Sequence, residues 1–167
     1  MVGMLASGKS RVGRDLARVL RMEFVDIDQM IEDTERCRIA DIFERDGETH
    51  FRDLESAALR EVLGPGKAPL VVSTGGGAIM RPENAELIFN DTVSIWLRAS
   101  IPLILARTEK DTHRPLLKNA DRKKVLQDMM EVRYPVYQRA GMVIDVDDRW
   151  PQDIVAEIIE KAGHAEQ

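Results

Sequence analysis

Cysteine, histidine, long apolar runs and positive charge are all scarce in this chain. Cys37 is the one cysteine, so no intramolecular disulfide is available and a reduced, cytoplasmic setting is the expectation. The histidines, His50, His113 and His164, share no ligand spacing, which argues against a zinc centre. Apolar runs such as Leu70-Val71-Val72 extend over a few residues, where a bilayer-spanning helix needs ~20, so neither a membrane span nor a secretory leader is expected. Lys and Arg number 24 against 29 Asp and Glu, a formal charge of -5 that argues against non-specific nucleic-acid or membrane partners. With 44% hydrophobic and 32% charged residues over 167 positions, one soluble globular domain spanning 1–167 is expected, too short for two catalytic domains.

What the chain does have begins almost at its N-terminus. Gly3-Met4-Leu5-Ala6-Ser7-Gly8-Lys9-Ser10 fits the phosphate-binding pattern G-x-x-x-x-G-K-[ST]. Its glycines let consecutive backbone N–H groups face a β-phosphate, Lys9 adds a mobile positive charge, and the Ser10 hydroxyl suits Mg²⁺. A helical pattern follows, with Val12, Leu16, Val19 and Leu20 on one face, so its first N–H groups point back at the anion. Only Met1-Val2 precede the loop, where a launching strand belongs.

Short apolar runs then alternate with amphipathic stretches, without repeats, which predicts an α/β fold around a parallel sheet. Strands are predicted at 22–25, 70–73, 92–97 and 142–146. Asp26-Ile27-Asp28 ends the first, at the edge where open parallel sheets bind ligands. Two helical stretches carry Ile39, Ile42 and Phe43, then Phe51, Leu54, Ala58, Leu59 and Val62, with an Asp46-Gly47 turn between them. Further helices are predicted at 82–89, 102–107, from Val125 as far as Tyr134-Pro135, and at 151–162. Residues 108–122 read as a mobile lid, with Lys110, Arg114, Lys118 and Arg122 around the apolar knot Pro115-Leu116-Leu117.

Asp26 and Asp28, two apart at a strand end, project to one side, so one can serve Mg²⁺ and the other an acceptor hydroxyl. The competing structural reading is a helix N-cap at Asp28 with Asp26 in solvent. Gly75-Gly76-Gly77 suits neither strand nor helix, and close approach of a ligand to backbone explains it better than a plain loop. Arg52, Arg114 and Arg133 each adjoin an apolar anchor that can fix the side chain, respectively Phe51, Pro115-Leu116-Leu117 and Tyr134-Pro135.

In order along nearly the whole chain, these landmarks resemble the shikimate kinases. The phosphate loop at 3–10, D-x-D at Asp26-Ile27-Asp28, F-R at Phe51-Arg52, the triple glycine, R-P-L-L at Arg114-Pro115-Leu116-Leu117 and the late segment Arg133-Tyr134-Pro135-Val136-Tyr137 carry the likeness. It implies a P-loop kinase three-layer sandwich with parallel strand order 2-3-1-4-5, a helical substrate-binding segment at about 27–60 and a lid at about 108–122. It also implies transfer of the ATP γ-phosphate to the 3-hydroxyl of shikimate in the route to chorismate and aromatic amino acids. On that resemblance Arg52 and Arg133 grip the substrate carboxylate, Asp28 is the candidate base, and Gly75, Gly76 and Gly77 let the ring sit against backbone. Ser10 and Asp26 hold Mg²⁺. Lys9 and Arg114 neutralise charge on the transferred phosphoryl group. ATP is expected to touch Gly3, Met4, Leu5, Ala6, Ser7, Gly8, Lys9, Ser10, Arg107, Arg114 and Pro151, the adenine lying near Arg107 and the 147–151 segment. A monomer is expected.

Two departures accompany the likeness. Ala6 stands where the family usually has a glycine, and needs an allowed backbone conformation there; weaker ATP binding is the most it should cause. The strand leading into the loop is central in the family, and its loss leaves backbone groups unpaired at about 1 to 3 kcal/mol each. The expectation is therefore that Met1 is an internal methionine and that the native chain starts several apolar residues upstream. The alternatives are a gluconate kinase or nucleoside monophosphate kinase with the same core, and a non-catalytic nucleotide-binding regulator. Paired arginines and an aspartate suit a carboxylate-bearing polyol better than a nucleotide acceptor.

Overall fold

A computed structural model describes residues 1–109 and 121–165. Residues 110–120, with Arg114, and 166–167 lie outside the described residues. Four short strands form two parallel pairs: β1 (Glu23–Asp26) with β2 (Leu70–Ser73), and β3 (Ile95–Arg98) with β4 (Met142–Asp145). Val71, Val72, Ile95, Trp96 and Leu97 are all buried, as helices on both faces of a parallel sheet require.

Met1-Val2 occupies the gap between the pairs. Met1 N donates to Val72 O at 2.6 Å and Met1 O accepts from Thr74 N at 3.2 Å, while Val2 exchanges bonds with Ile95 O and Leu97 N. This two-residue segment is the central element, giving the order β1-β2-(Met1-Val2)-β3-β4, which is the family order 2-3-1-4-5 with Met1-Val2 in the place of its first member. Burial, followed by the nearby Lys9 charge, lowers the Met1 amine from 8.0 to about 5. In a chain that starts at Met1, the unfolded state therefore binds the extra proton between those values, so this group makes stability rise from pH 5 to pH 8, by about 4 kcal/mol in all. Melting curves at several pH values check this. A version with five to seven apolar, β-branched residues placed before Met1 is expected to melt higher and to lose this dependence, because its amine sits in solvent.

Around the sheet run α1 (Lys9–Leu20), α2 (Ile27–Glu35), α3 (Ile39–Leu63), α4 (Pro82–Asp91), α5 (Ile101–Thr108), α6 (Arg122–Tyr137) and α7 (Pro151–Ala165), with one 3₁₀ turn at Ala78–Met80. On α1 the buried stripe is Val12, Gly13, Leu16 and Ala17; Val19 (59% exposed) and Leu20 lie outside it, contrary to the sequence reading. Val19 falls off the 12/13/16/17 face, and the helix ends at Arg21 in left-handed geometry. The strand predicted at 92–97 starts only at Ile95. The α2 helix was anticipated only as part of a helical segment at about 27–60 and through the alternative cap at Asp28, without bounds of its own. Within α3, Gly47 adopts φ 83°, ψ 173° and breaks the helix into two rods at the expected turn. Their rings Phe43 and Phe51 meet with centroids 4.8 Å apart. Instead of stopping at Pro135, α6 runs through it to Tyr137, because Trp96 packs against both Tyr134 and Tyr137 and holds the last turn in place.

Candidate active site

The phosphate loop is shaped by its own backbone. Gly8, at φ 99°, delivers the chain into α1, and Lys9 Nζ turns back to donate to Gly3 O at 2.9 Å and Met4 O at 2.8 Å. Ala6 takes φ 55°, a left-handed conformation that costs an L-residue about 1 to 2 kcal/mol. Its carbonyl accepts from Arg107 Nη1 at 3.0 Å, which ties the loop to α5.

Beside the loop lies a cleft of about 440 Å³ whose wall includes residues 5–10, Asp26, Asp28, Ser73, Arg107 and Pro151. Asp26 has two tasks. Its Oδ1 caps α2 by accepting from Asp28 N at 3.2 Å and Gln29 N at 3.4 Å, and its Oδ2 accepts from Ser10 Oγ. The N-cap is thus Asp26, neither Asp28 nor a solvated group, and Asp28 stands in the first helical turn of α2, past the end of the strand. Ser73 Oγ lies 3.5 Å from Ser10 Oγ. Two hydroxyls and a carboxylate form a hard-oxygen set beside the phosphate loop, which fits Mg²⁺.

The acceptor side is built on α3 and the triple glycine. Arg52 Nη1 binds Glu55 Oε2 at 2.7 Å and Arg52 Nη2 binds Glu48 at 3.2 Å. Glu55 is fully buried, with Oε1 unpaired. Burial raises its pKa and Asp28 adds to the rise, while Arg52 and Arg133 oppose it. A Cβ on Gly75 would come within 2.5 Å of Glu55 Oε1 and 2.8 Å of Asp28 Oδ1, and one on Gly77 within 2.5 Å of the Arg52 guanidinium. Gly75 and Gly77 therefore make room for the protein's own site side chains, a use the sequence reading, which looked to a ligand, did not include. Arg133 Nη1 approaches the corresponding point at Gly76 to 3.4 Å, so Asp28, Arg52 and Arg133 converge on one loop.

Gly3 and Met4 meet the site through the carbonyls that hold Lys9. Arg114 lies outside the described residues, but the flanks of its segment are joined: Arg122 Nη2 donates to Thr108 O at 2.5 Å and to its Oγ1 at 2.8 Å. Arg122, read as a lid cation, opens α6 instead. Sequence reasoning missed Glu55 and Ser73, and it named Arg149 only as part of the 147–151 segment and Tyr137 only as part of the late motif. Glu55 was discoverable as an acid on the apolar stripe Phe51, Ala58, Leu59, Val62. Arg149, which lines the cleft with Arg107 and Pro151 and pairs with Glu157, fell within the 147–151 segment without being singled out.

The shikimate kinase family model matches residues 5–163. A shikimate kinase of Mesorhizobium japonicum is 41% identical over 158 residues, covering 95% of this chain and 77% of that protein. One from Brucella canis is 39% identical over 168 residues, covering 100% and 83%. Among solved structures, shikimate kinase from Acinetobacter baumannii in complex with shikimate superposes with a TM-score of 0.93 at 34% identity, covering 98% of this chain and 91% of that one. Phosphate loop, capping aspartate, arginine paired with a buried glutamate and triple glycine thus occur in a chain that belongs to the shikimate kinase family.

Proposed function

We infer that the protein transfers the γ-phosphate of ATP to the 3-hydroxyl of shikimate. The observation that carries this reading is the convergence of Asp28, Arg52 and Arg133 on the triple glycine, beside a phosphate loop bearing Lys9 and Ser10. Two guanidiniums match a carboxylate, and a carboxylate base matches a sugar-like hydroxyl. Arg52 holds its proton more firmly than usual because Glu55 and Glu48 outweigh the opposing effect of burial, so it stays cationic for the acceptor.

In this reading Lys9 leaves the Gly3 and Met4 carbonyls for the phosphates, and loop N–H groups face the β-phosphate. Ser10 and Asp26 hold Mg²⁺, with Ser73 nearby. When bound, the ion neutralises phosphate charge. Asp28 takes the proton of the reacting hydroxyl, and Arg114 closes over the γ-phosphoryl from a lid at about 108–122. Arg107, Arg149 and Pro151 border the adenine. The acceptor segment is about 27–60 of a single domain, 1–167. A monomer in the cytoplasm is the setting this reading adopts; among the described residues no helix is long and apolar enough to cross a membrane.

An ADP-release assay with Mg-ATP and shikimate, gluconate or nucleoside monophosphates tests the reading. Turnover is expected with shikimate. Turnover of gluconate or a nucleotide in its place overturns the assignment.

A further inference from the structure

We infer that Tyr137 is a positioning residue for the acceptor, its hydroxyl fixing Arg133 and the middle of the triple glycine together; this rests on the shikimate reading above. Tyr137 is fully buried on α6, one helical turn beyond Arg133. Its ring lies 5.6 Å from that of Trp96 on β3 and 6.1 Å from that of Tyr134. Tyr134 meets Trp96 edge-on at 4.9 Å and donates to Ala99 O at 2.8 Å. These contacts clamp the end of α6 to the sheet where Pro135 has removed a helix N–H donor.

From that clamp, Tyr137 Oη donates to Gly76 O at 2.5 Å, and the Arg133 guanidinium reaches the same glycine, its Nη1 3.4 Å from where a Cβ would stand. A phenol has one proton to give. With Gly76 taking it, what the oxygen offers the neighbouring Arg133 charge is a lone pair, the polarity that a guanidinium needs. One atom therefore relates the position of a carboxylate-gripping cation to the backbone against which the acceptor ring rests. Burial raises the phenol's pKa well above its ordinary value, so the donated proton stays in place at working pH. A residue present only to fill the core needs the ring and no hydroxyl.

The experiment compares wild type, Tyr137→Phe, Arg133→Ala and the double variant, with shikimate and Mg-ATP as substrates. No shikimate turnover by wild type defeats the functional reading itself. Given turnover, Tyr137→Phe is expected to raise KM for shikimate about 5- to 30-fold, with kcat and KM for ATP within about twofold. In the Arg133→Ala background the same change should add less than about twofold, because the hydroxyl acts through Arg133. An unchanged shikimate KM, equal effects on both substrates, or full additivity overturns the inference. Should Tyr137→Phe fail to fold, the phenol can be weakened in place. Tyr134 and Tyr137 are the chain's two tyrosines, so ring-fluorinated tyrosine in a Tyr134→Phe protein labels position 137 alone. Fluorination lowers the phenol's pKa. The shikimate KM of the labelled protein should rise at high pH, where that of the unlabelled Tyr134→Phe protein does not; identical profiles overturn the inference.

Discussion

Replacing Asp28 by asparagine is expected to lower kcat about 10²- to 10⁴-fold, the usual loss on removing a general base, while leaving ATP affinity nearly intact. The separation follows from how α2 begins. Asp26 caps the helix through the backbone N–H of residue 28, and its other oxygen engages Ser10. Neither contact uses the Asp28 carboxylate, and asparagine keeps its size. The metal and nucleotide side should therefore survive, and the acceptor side, where Asp28 and Glu55 crowd Gly75, should not. Nucleotide titration alongside steady-state kinetics checks it. Normal turnover with lost ATP affinity would reverse the roles of the two aspartates.

Arg52→Ala should do two kinds of damage and Arg133→Ala only one. On the proposed reading both remove a partner of the substrate carboxylate, so each should raise KM for shikimate steeply, by about 2 to 5 kcal/mol of lost binding. Arg52 is also the cation facing fully buried Glu55 at 2.7 Å. Its removal leaves that carboxylate without its ion pair, and folding stability should fall by about 3 to 5 kcal/mol. Adding Glu55→Gln to Arg52→Ala should restore much of the melting temperature and none of the KM. If Arg52→Ala and Arg133→Ala melt at the same temperature, Glu55 does not depend on Arg52. Lysine at either position should also bind poorly, since it lacks the two-pronged donor geometry.

Much of the site was legible because phosphate chemistry constrains sequence locally. The loop at residues 3–10 needs its residues in one order, and D-x-D, F-R and the triple glycine can be read without knowing what they face. Contacts across the fold were harder. The space at Gly75 and Gly77 is filled by Asp28, Glu55 and Arg52, which arrive from other elements, so the glycines alone could not reveal what approaches them. Asp26 does end its strand, but the helix cap was read at Asp28 in the competing account, because a cap is decided by the next few backbone torsions, which Ile27 and Asp28 do not announce. Strand ends shifted by up to three residues, as at Ile95, where Thr92 and Val93 carry strand-forming side chains but sit outside the ladder. The extension of α6 through Pro135 depends on Trp96, almost forty residues away in sequence.

The break at Gly47 has a geometric outcome of its own. In an unbroken helix, residues 43 and 51 stand about 12 Å apart along the axis, out of reach of each other's rings. Here Phe43 and Phe51 touch because the chain doubles back on itself at one residue. Phe51 adjoins Arg52, whose guanidinium carbon lies 5.2 Å from that ring's centre. Arg52 thus rests on a ring of its own rod, which in turn rests on Phe43 of the other. What Gly47 contributes is reach: it shortens a 25-residue helix so that its far end can brace its middle.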